Sequence, residues 1–341
     1  MSDHALAGLR VLDVATLFSA PQIATMLGDY GAEVLKLEPP GGDPLRRMGV
    51  QRDGKSVVWE LLGRNKRSLE LDLETDEGQA EFREHVQWAD VLVENFSPEL
   101  RARRHCTYEE LSAINEGLVH VAVSCFGLTG PYADRPGNGT IAEAFAGLTH
   151  MIGEPDGPPI LPSVAIGDTL TAFWGVIGAL VACWNRDVKG GKGRLVDVAM
   201  YEPILAVMAT TIASWDGKSE PPKRTGSRVP GGVPRNVYET RDGQYVAVSG
   251  TTDAQVARVL KIIGRDTPED RERYGTSAAR LEHADDLDVL VAQWIVQHDR
   301  GAALGAFLEA RVPVTAVNTA RDVVTDEQVQ TRDSLEAPTR S

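Results

Sequence analysis

The chain has 341 residues and a mass of 36.9 kDa, enough for one large domain or two ordinary ones. Hydrophobic residues make up 42% of it and charged residues 25%, a composition typical of globular proteins rather than disordered chains. The formal net charge of −14 argues against non-specific binding to nucleic acid or to an anionic membrane surface, because the overall field repels polyanions. An anionic ligand therefore needs a local basic site.

Sequence signals of several other protein classes are missing. The three cysteines lack C-x-x-C spacing and the seven histidines lack H-x-x-H or H-E-x-x-H spacing, so we expect neither a disulfide framework nor a metal site. The N-terminal residues lack a basic stretch followed by an apolar core, so we expect no signal peptide and a cytoplasmic protein. The most apolar stretch, 170–184, has 15 residues, which predicts a helix too short to cross a membrane.

The first two thirds of the chain alternate between short apolar runs and stretches with helical periodicity. Strands are predicted over 10–15, 32–38, 67–73, 90–96, 118–126 and 194–200, and helices over 20–31, 76–89, 107–115, 140–152, 170–184 and 201–215. Because successive strand–helix–strand units pair in parallel, this order predicts a large, doubly wound, Rossmann-like α/β domain. Ligand contacts are expected at the carboxyl ends of its strands.

The pattern changes after a polar segment rich in proline and glycine. The elements predicted beyond it are a hairpin over 236–250 with an Asp-Gly turn, helices over 253–264, 284–298 and 300–310, and a strand over 312–318. We therefore predict a large α/β domain over 1–205, a linker over 206–227 and a smaller α+β domain over 228–318.

Common nucleotide and hydrolase motifs are not found. The glycines at positions 190, 191 and 193 follow a helix and precede a strand, which is typical of a helix-to-strand turn and not of a P-loop. The first strand-to-helix turn, 16–21, lacks G-x-G-x-x-G, which disfavours a nicotinamide site. The G-x-S-x-G turn of serine hydrolases is also missing.

A single carboxylate, Asp168, lies near the start of the apolar run 163–184. In one interpretation it is a plain N-cap, since an aspartate before an apolar helix satisfies free backbone N–H groups. In the other it is a nucleophile, because a carboxylate at a helix N-terminus stays ionised. Position alone does not separate the two.

Ordered segments along almost the whole chain carry a resemblance to a known family. They are 8–47, 65–79, 89–98, "GLTGPYADRPG" at 127–137, "GDTLTAFWGVIGAL" at 167–180, 191–202, 242–250 and 312–332. The chain resembles the class III CoA-transferases, which include formyl-CoA and carnitine CoA-transferases and, as a side branch, α-methylacyl-CoA racemase. The resemblance implies that acyl-CoA and a free carboxylic acid are substrates, without a permanently bound cofactor, and that the protein is an interlocked homodimer.

The resemblance also implies roles for individual residues. Asp168 would attack the thioester, giving an enzyme-bound anhydride and then an aspartyl-CoA thioester. Arg103 would meet a CoA phosphate, and Ser19 would approach the thioester. The remaining CoA or substrate contacts would be Phe18, Leu71, Asp72, Leu73, Glu74, Asn95, Phe96, Ser97, Asn138 and Gly139, with Gly231 and Gly232 in a glycine loop over the nucleophile. The alternatives without a functional role are that the arginines lie on a solvent-exposed helix face and that the two loop glycines form a linker turn.

Several residues differ from those found in branches of the family, and the differences disfavour some of the family's reactions. Phe18, Pro39 and the pair Asn138–Gly139 replace a glutamine, an arginine and a tyrosine–glutamate pair of formyl-CoA transferase, which disfavours the formyl/oxalyl reaction. The racemase branch has a histidine at position 138, and asparagine cannot exchange a proton there, so a racemase is the weaker alternative. Residues 319–341 would begin a segment returning to the large domain, cut short at Ser341, so a non-catalytic CoA-binding protein is a second alternative.

Overall fold

The computed structural model describes residues 4–229 and 231–335. Within these ranges the chain forms eleven strands. The strands are β1 (Arg10–Asp13), β2 (Glu33–Glu38), β3 (Gln51–Arg52), β4 (Lys55–Ser56), β5 (Lys66–Glu70), β6 (Val91–Glu94), β7 (Val119–Ser124), β8 (Leu195–Ala199), β9 (Arg235–Glu239), β10 (Tyr245–Ser249) and β11 (Val314–Ala316).

The same ranges contain sixteen α-helices and a 3-10 turn at Pro44–Arg47. The helices are α1 (Ser19–Asp29), α2 (Val57–Leu62), α3 (Asp76–Trp88), α4 (Pro98–Arg103), α5 (Tyr108–Ile114), α6 (Gly139–Phe145), α7 (Leu148–Met151), α8 (Ile166–Lys189), α9 (Tyr201–Ala213), α10 (Asp253–Ile262), α11 (Pro268–Tyr274), α12 (Ser277–Glu282), α13 (Ala284–Ile295), α14 (Arg300–Glu309), α15 (Ala320–Thr325) and α16 (Glu327–Thr331).

Six strands form one parallel sheet in the order β5-β2-β1-β6-β7-β8. Val11 of β1 pairs with Val34 on one side and with Val91 on the other. The chain therefore runs outward from β1 in one direction and then returns to continue in the other. This order confirms the predicted doubly wound α/β fold, and it places a topological switch point between β1 and β6.

Alternate strand residues supply two cores, one on each face of this sheet. Val11 packs in the cluster that includes α1 and α8, whereas Leu12 packs in the cluster that includes α3 and α5. On the first face, α1 and α8 come close together because Gly175 has no side chain. A Cβ at that position would lie 2.3 Å from Cδ1 of Ile23.

Helix α8 has 24 residues and is long and apolar enough to cross a membrane by length and composition. The prediction that this stretch is too short was wrong, because the helix continues beyond the apolar run at both ends. One such helix is weak support for a membrane span, since core helices pass the same test. One stripe of α8, with Thr171, Ala172 and Ala179, is buried in the protein.

The chain divides into two compact units, the first containing residues up to Ile152 together with Pro159–Pro222. The second contains Gly153–Pro158 and the chain from Lys223 onward. In it, β9, β10 and β11 form an antiparallel sheet in the order β11-β10-β9, with the predicted hairpin between β9 and β10. Its own core includes Val246, Leu287 and Phe307.

Other differences from the prediction concern the linker, one helix and the return segment. Helix α9 runs to Ala213, into the range predicted as a linker. The helix predicted over 140–152 is two helices, because Gly147 between them has a φ of 88°, in the left-handed region. The predicted return segment 319–341 forms α15 and α16, assigned to the second unit, and its last six residues lie outside the described ones.

Candidate active site

The loops that follow β1 and β6 meet at the switch point of the sheet. Asn95 joins them: its Oδ1 accepts a hydrogen bond from the Thr16 N–H at 3.0 Å, and its Nδ2 donates to the Thr16 carbonyl at 2.8 Å. In the same loop Leu17 has a φ of 66°, which is uncommon for a residue with a side chain. This tight turn leads through half-buried Phe18 to Ser19, the first residue of α1.

Asp168 is the third residue of α8 and lies in its first turn. The N-cap residue is Ala165, and it makes no side-chain capping hydrogen bond. The interpretation of Asp168 as a plain N-cap was therefore wrong. The helix begins three residues earlier than that interpretation requires, since Ile166, Gly167 and Asp168 are already helical.

The first turns of α1 and α6 reach Asp168 as well. The hydroxyl of Ser19 makes a hydrogen bond with the Asp168 carboxylate. Gly139 begins α6, and a Cβ on it would lie 2.2 Å from Asp168 Oδ2. Asn138 caps this helix, with its Oδ1 accepting a hydrogen bond from the Ile141 N–H at 3.3 Å. The structure thus brings together four of the predicted site residues.

The surroundings of Asp168 make its carboxyl group more basic than usual. Burial, followed by the nearby negative charge of Glu143, raises the pKa of Asp168 from 3.8 to about 6, while the hydrogen bond from Ser19 opposes this rise. The group is ionised at neutral pH and is a stronger base than an exposed aspartate. A half-buried, basic carboxylate beside the first turns of α1 and α6 is suited to nucleophilic attack.

Glu143 is a further residue of the site that was not predicted from the sequence, and it is 3% exposed. Its Oε1 accepts a hydrogen bond from the Gly167 N–H at 2.8 Å. The signal available in the sequence was a lone carboxylate among small apolar residues of a predicted helix. Whether that residue faces the core or solvent depends on how α6 crosses α8, which periodicity does not specify.

Cys125, just after β7, is a second neighbour that the sequence analysis did not select. Burial, and next the charge of Asp168, raises the pKa of its thiol to about 11, so it is not a thiolate nucleophile at neutral pH. In the part of the chain that the structure describes, His, Cys, Asp and Glu side chains form no group of three suited to a metal ion.

The arginines after β6 have different environments. Arg101 is buried and donates to Glu94 at 2.9 Å and to the Phe96 carbonyl at 3.0 Å, so it holds the loop together. Arg103 and Arg104 both donate to Glu74, at 2.9 and 2.8 Å. Hydrogen bonds from these two arginines hold the pKa of Glu74 below its usual value.

The other predicted CoA contacts lie at the ends of β5 and β6. Leu71, Leu73 and Phe96 pack in one core cluster. Asp72 accepts a hydrogen bond from the Glu74 N–H at 3.0 Å, and Ser97 caps α4. The structure thus groups these residues with Arg103 and Glu74, whereas Asp168 belongs to a separate cluster with α1 and α6.

The predicted glycine loop belongs to the second unit and precedes β9. Gly231 has a φ of 88°, and a Cβ on Gly232 would lie 2.7 Å from Cγ2 of Thr251. Pro230 of this segment lies outside the described residues. That the loop covers Asp168 stays a prediction.

Comparison with known proteins identifies the family of this chain. Residues 6–340 match CoA-transferase family III. The chain is 37% identical to the succinyl-CoA–D-citramalate CoA-transferase of Chloroflexus aurantiacus over 332 residues, which cover 97% of this chain and 82% of the relative. It is 36% identical to the beta subunit of the succinyl-CoA–L-malate CoA-transferase of the same organism over 336 residues, covering 97% and 83%. The crystal structure of a CaiB/BaiF family protein from Brucella suis matches with a TM-score of 0.87 at 30% identity, covering 100% of this chain and 93% of that one. The chain therefore belongs to CoA-transferase family III and is a CoA-transferase.

Proposed function

We propose that the protein moves CoA from an acyl-CoA to a free carboxylic acid with Asp168 as the covalent nucleophile. The observation that carries the proposal is the position of Asp168: a half-buried carboxylate where the first turns of α1, α6 and α8 meet. Family membership favours this enzyme over the alternative of a non-catalytic CoA-binding protein.

The transfer runs through enzyme-bound carboxyl derivatives. An oxygen of Asp168 attacks the thioester carbonyl, the carbon–sulfur bond breaks, and CoA leaves as a thiolate with the bonding electron pair. The thiolate then attacks the Asp168 carbonyl of the resulting anhydride, which releases the first acid and leaves an aspartyl-CoA thioester. The incoming carboxylate reverses both steps. Each intermediate hydrolyses in water, so burial of the site protects them.

Residues around Asp168 support this role. Gly139 leaves the space in which the carboxylate lies, because any side chain there would overlap it. The hydroxyl of Ser19 favours the ionised form of this carboxylate. The racemase alternative needs a titratable group at position 138, whereas Asn138 is occupied in capping α6.

We propose succinyl-CoA as the donor and a short dicarboxylic acid as the acceptor. The two Chloroflexus aurantiacus relatives are named for succinyl-CoA with D-citramalate or L-malate, both small dicarboxylates. Half-buried Phe18 directly precedes α1, and by the family resemblance it replaces the glutamine of the formyl-CoA branch. A screen of acyl-CoA donors against short mono- and dicarboxylic acids tests this, and a preference for formyl-CoA with oxalate would contradict it.

A homodimer belongs to the same proposal. The face of α8 opposite its buried stripe exposes large apolar side chains: Phe173, Trp174, Ile177, Val181, Trp184 and Val188 are between 48% and 63% exposed. A contiguous apolar surface of this kind is typical of an interface, and a second copy of the chain would cover it. A light-scattering mass equal to one chain at micromolar concentration would argue against the dimer.

The covalent mechanism is tested by trapping the intermediate. Protein incubated with succinyl-CoA and no acceptor should gain an adduct on the tryptic peptide that contains Asp168, and hydroxylamine should remove it. Asp168→Asn should form no adduct. The matched control is Asp187→Asn, which removes an exposed carboxylate near the other end of the same helix and should label normally. An active Asp168→Asn variant would contradict the mechanism.

A further inference from the structure

Glu143 is a buried carboxyl group beside Asp168, and the transfer steps above do not use it. It lies four residues after Gly139 in α6 and is 3% exposed. Its hydrogen-bond donor, Gly167, directly precedes Asp168 in the first turn of α8. Glu143 therefore contacts the backbone segment that carries the proposed nucleophile.

Two glycines make this approach of α6 to α8 possible. A Cβ on Gly167 would lie 3.1 Å from Cγ of Glu143 and 3.0 Å from the Gly139 carbonyl oxygen. A Cβ on Gly139 would overlap the carboxylate of Asp168. The second negative charge thus reaches Asp168 through close backbone packing, and a buried side chain of this kind has little freedom to move away.

We propose that Glu143 is a positioning residue for CoA transfer: it holds the first turn of α8 through the Gly167 N–H and destabilises the free Asp168 carboxylate relative to its acylated forms. This rests on the proposed function of Asp168 as the nucleophile. When Asp168 attacks, its oxygen bonds to the thioester carbon and the electron pair of the broken carbon–sulfur bond leaves with sulfur. Negative charge moves from Asp168 to the CoA thiolate, so repulsion from Glu143 falls as the anhydride forms.

The titratable groups near Asp168 come from the elements packed around α8. Glu143 on α6 and Cys125 after β7 interact with it electrostatically, and α1 supplies the uncharged hydroxyl of Ser19. Farther along, Asp197 on β8 acts on Glu202 on α9. Removing the charge of Glu143 should therefore change the titration of Asp168 more than removing that of Glu202.

The test compares two substitutions of Glu143 in the full chain. Glu143→Gln retains an oxygen that can accept the Gly167 N–H but loses the charge, whereas Glu143→Ala loses both. The rate of adduct formation from succinyl-CoA is followed by intact mass against pH. For Glu143→Gln we expect the midpoint of the acidic limb to fall by about one pH unit and the plateau rate to fall about tenfold. The control Glu202→Gln should leave the limb in place.

A slower Glu143→Gln variant with an unmoved acidic limb would show that Glu143 is only structural, and this would overturn the proposal. A double-mutant cycle of Glu143→Gln and Asp168→Asn gives a readout without substrate. We expect the two substitutions to be coupled in stability at about pH 8 and uncoupled at about pH 5, where Asp168 is mostly protonated. No coupling at the higher pH would overturn the proposal. Coupling without an adduct on Asp168 would support the charge pair and overturn the proposed nucleophile instead.

Discussion

Replacing Asp168 with asparagine removes a carboxyl group whose pKa is raised from 3.8 to about 6 by burial and by the charge of Glu143. A carboxyl group with a higher pKa in the folded protein binds its proton more tightly when folded. Its ionisation therefore costs stability as pH rises through this interval. Each pKa unit corresponds to about 1.4 kcal/mol, and solvent screening of a half-buried group leaves a cost of about 1–3 kcal/mol.

We expect Asp168→Asn to increase the free energy of unfolding by this amount at about pH 8. At about pH 4 the free energy should be nearly unchanged, because Asp168 of the folded wild type is then protonated and as uncharged as the asparagine. Urea unfolding at the two pH values measures the difference. CoA transfer should be lost at every pH, because an amide cannot form the anhydride. The gain in stability and the loss of activity arise from the same buried charge.

The control for this experiment is Asp187→Asn, which removes an exposed carboxylate paired with Arg186. It should change stability by less than about 0.5 kcal/mol at either pH. If Asp168→Asn were less stable than the wild type at about pH 8, the carboxylate would be a stabilising structural group. That result would refute the reasoning from burial and charge.

Three further substitutions test other parts of the site. Gly139→Ala places a Cβ 2.2 Å from Asp168 Oδ2, so kcat should fall by about 100-fold. An unchanged kcat would show that the carboxylate does not need the space left by Gly139. Arg103→Ala should weaken CoA binding by about 1.5–3 kcal/mol, and by less for dephospho-CoA if the contact is to the 3′-phosphate. Unchanged KM values for all CoA species would make Arg103 a surface charge. Arg101→Ala removes the guanidinium group that pairs with buried Glu94, so the free energy of unfolding measured in urea should fall by about 3–5 kcal/mol. A loss below about 1 kcal/mol would contradict the structural role of Arg101 in this loop.

The alternation of apolar runs and helical stretches predicted the parallel sheet, because the hydrophobic pattern of a buried strand lies in its own consecutive residues. Val11 and Leu12 enter opposite cores, as strand geometry requires. Charged residues inside such strands carried no comparable signal. The side chains of Asp13, Lys36 and Lys66 are buried, and each lysine pairs with Asp13, at Nζ–Oδ distances of 3.3 Å for Lys36 and 2.8 Å for Lys66. That network depends on which strands become neighbours, and the pairing of β2 with β5 is set by the whole fold.

The neighbourhood of Asp168 was predictable only in part. The family resemblance indicated Ser19 and Gly139, which the structure places beside it. The local preference of aspartate for N-caps led to the wrong helix start, because Ala165 takes that position. Glu143 could not be selected, since its contact with Gly167 arises where two helices cross and no spacing in the sequence encodes that crossing.

The packing of Ile23 against Gly175 has a consequence for engineering. Ser19 lies one turn before Ile23 on α1, and Asp168 lies two turns before Gly175 on α8. The close approach of α1 to α8, which carry the hydroxyl and the carboxylate, therefore depends on an apolar contact in the core. We expect a bulkier residue at position 175 to lower activity even though no residue of the proposed reaction is replaced. Attempts to change acid selectivity should instead vary loop residues such as Phe18 and keep this helix pair intact.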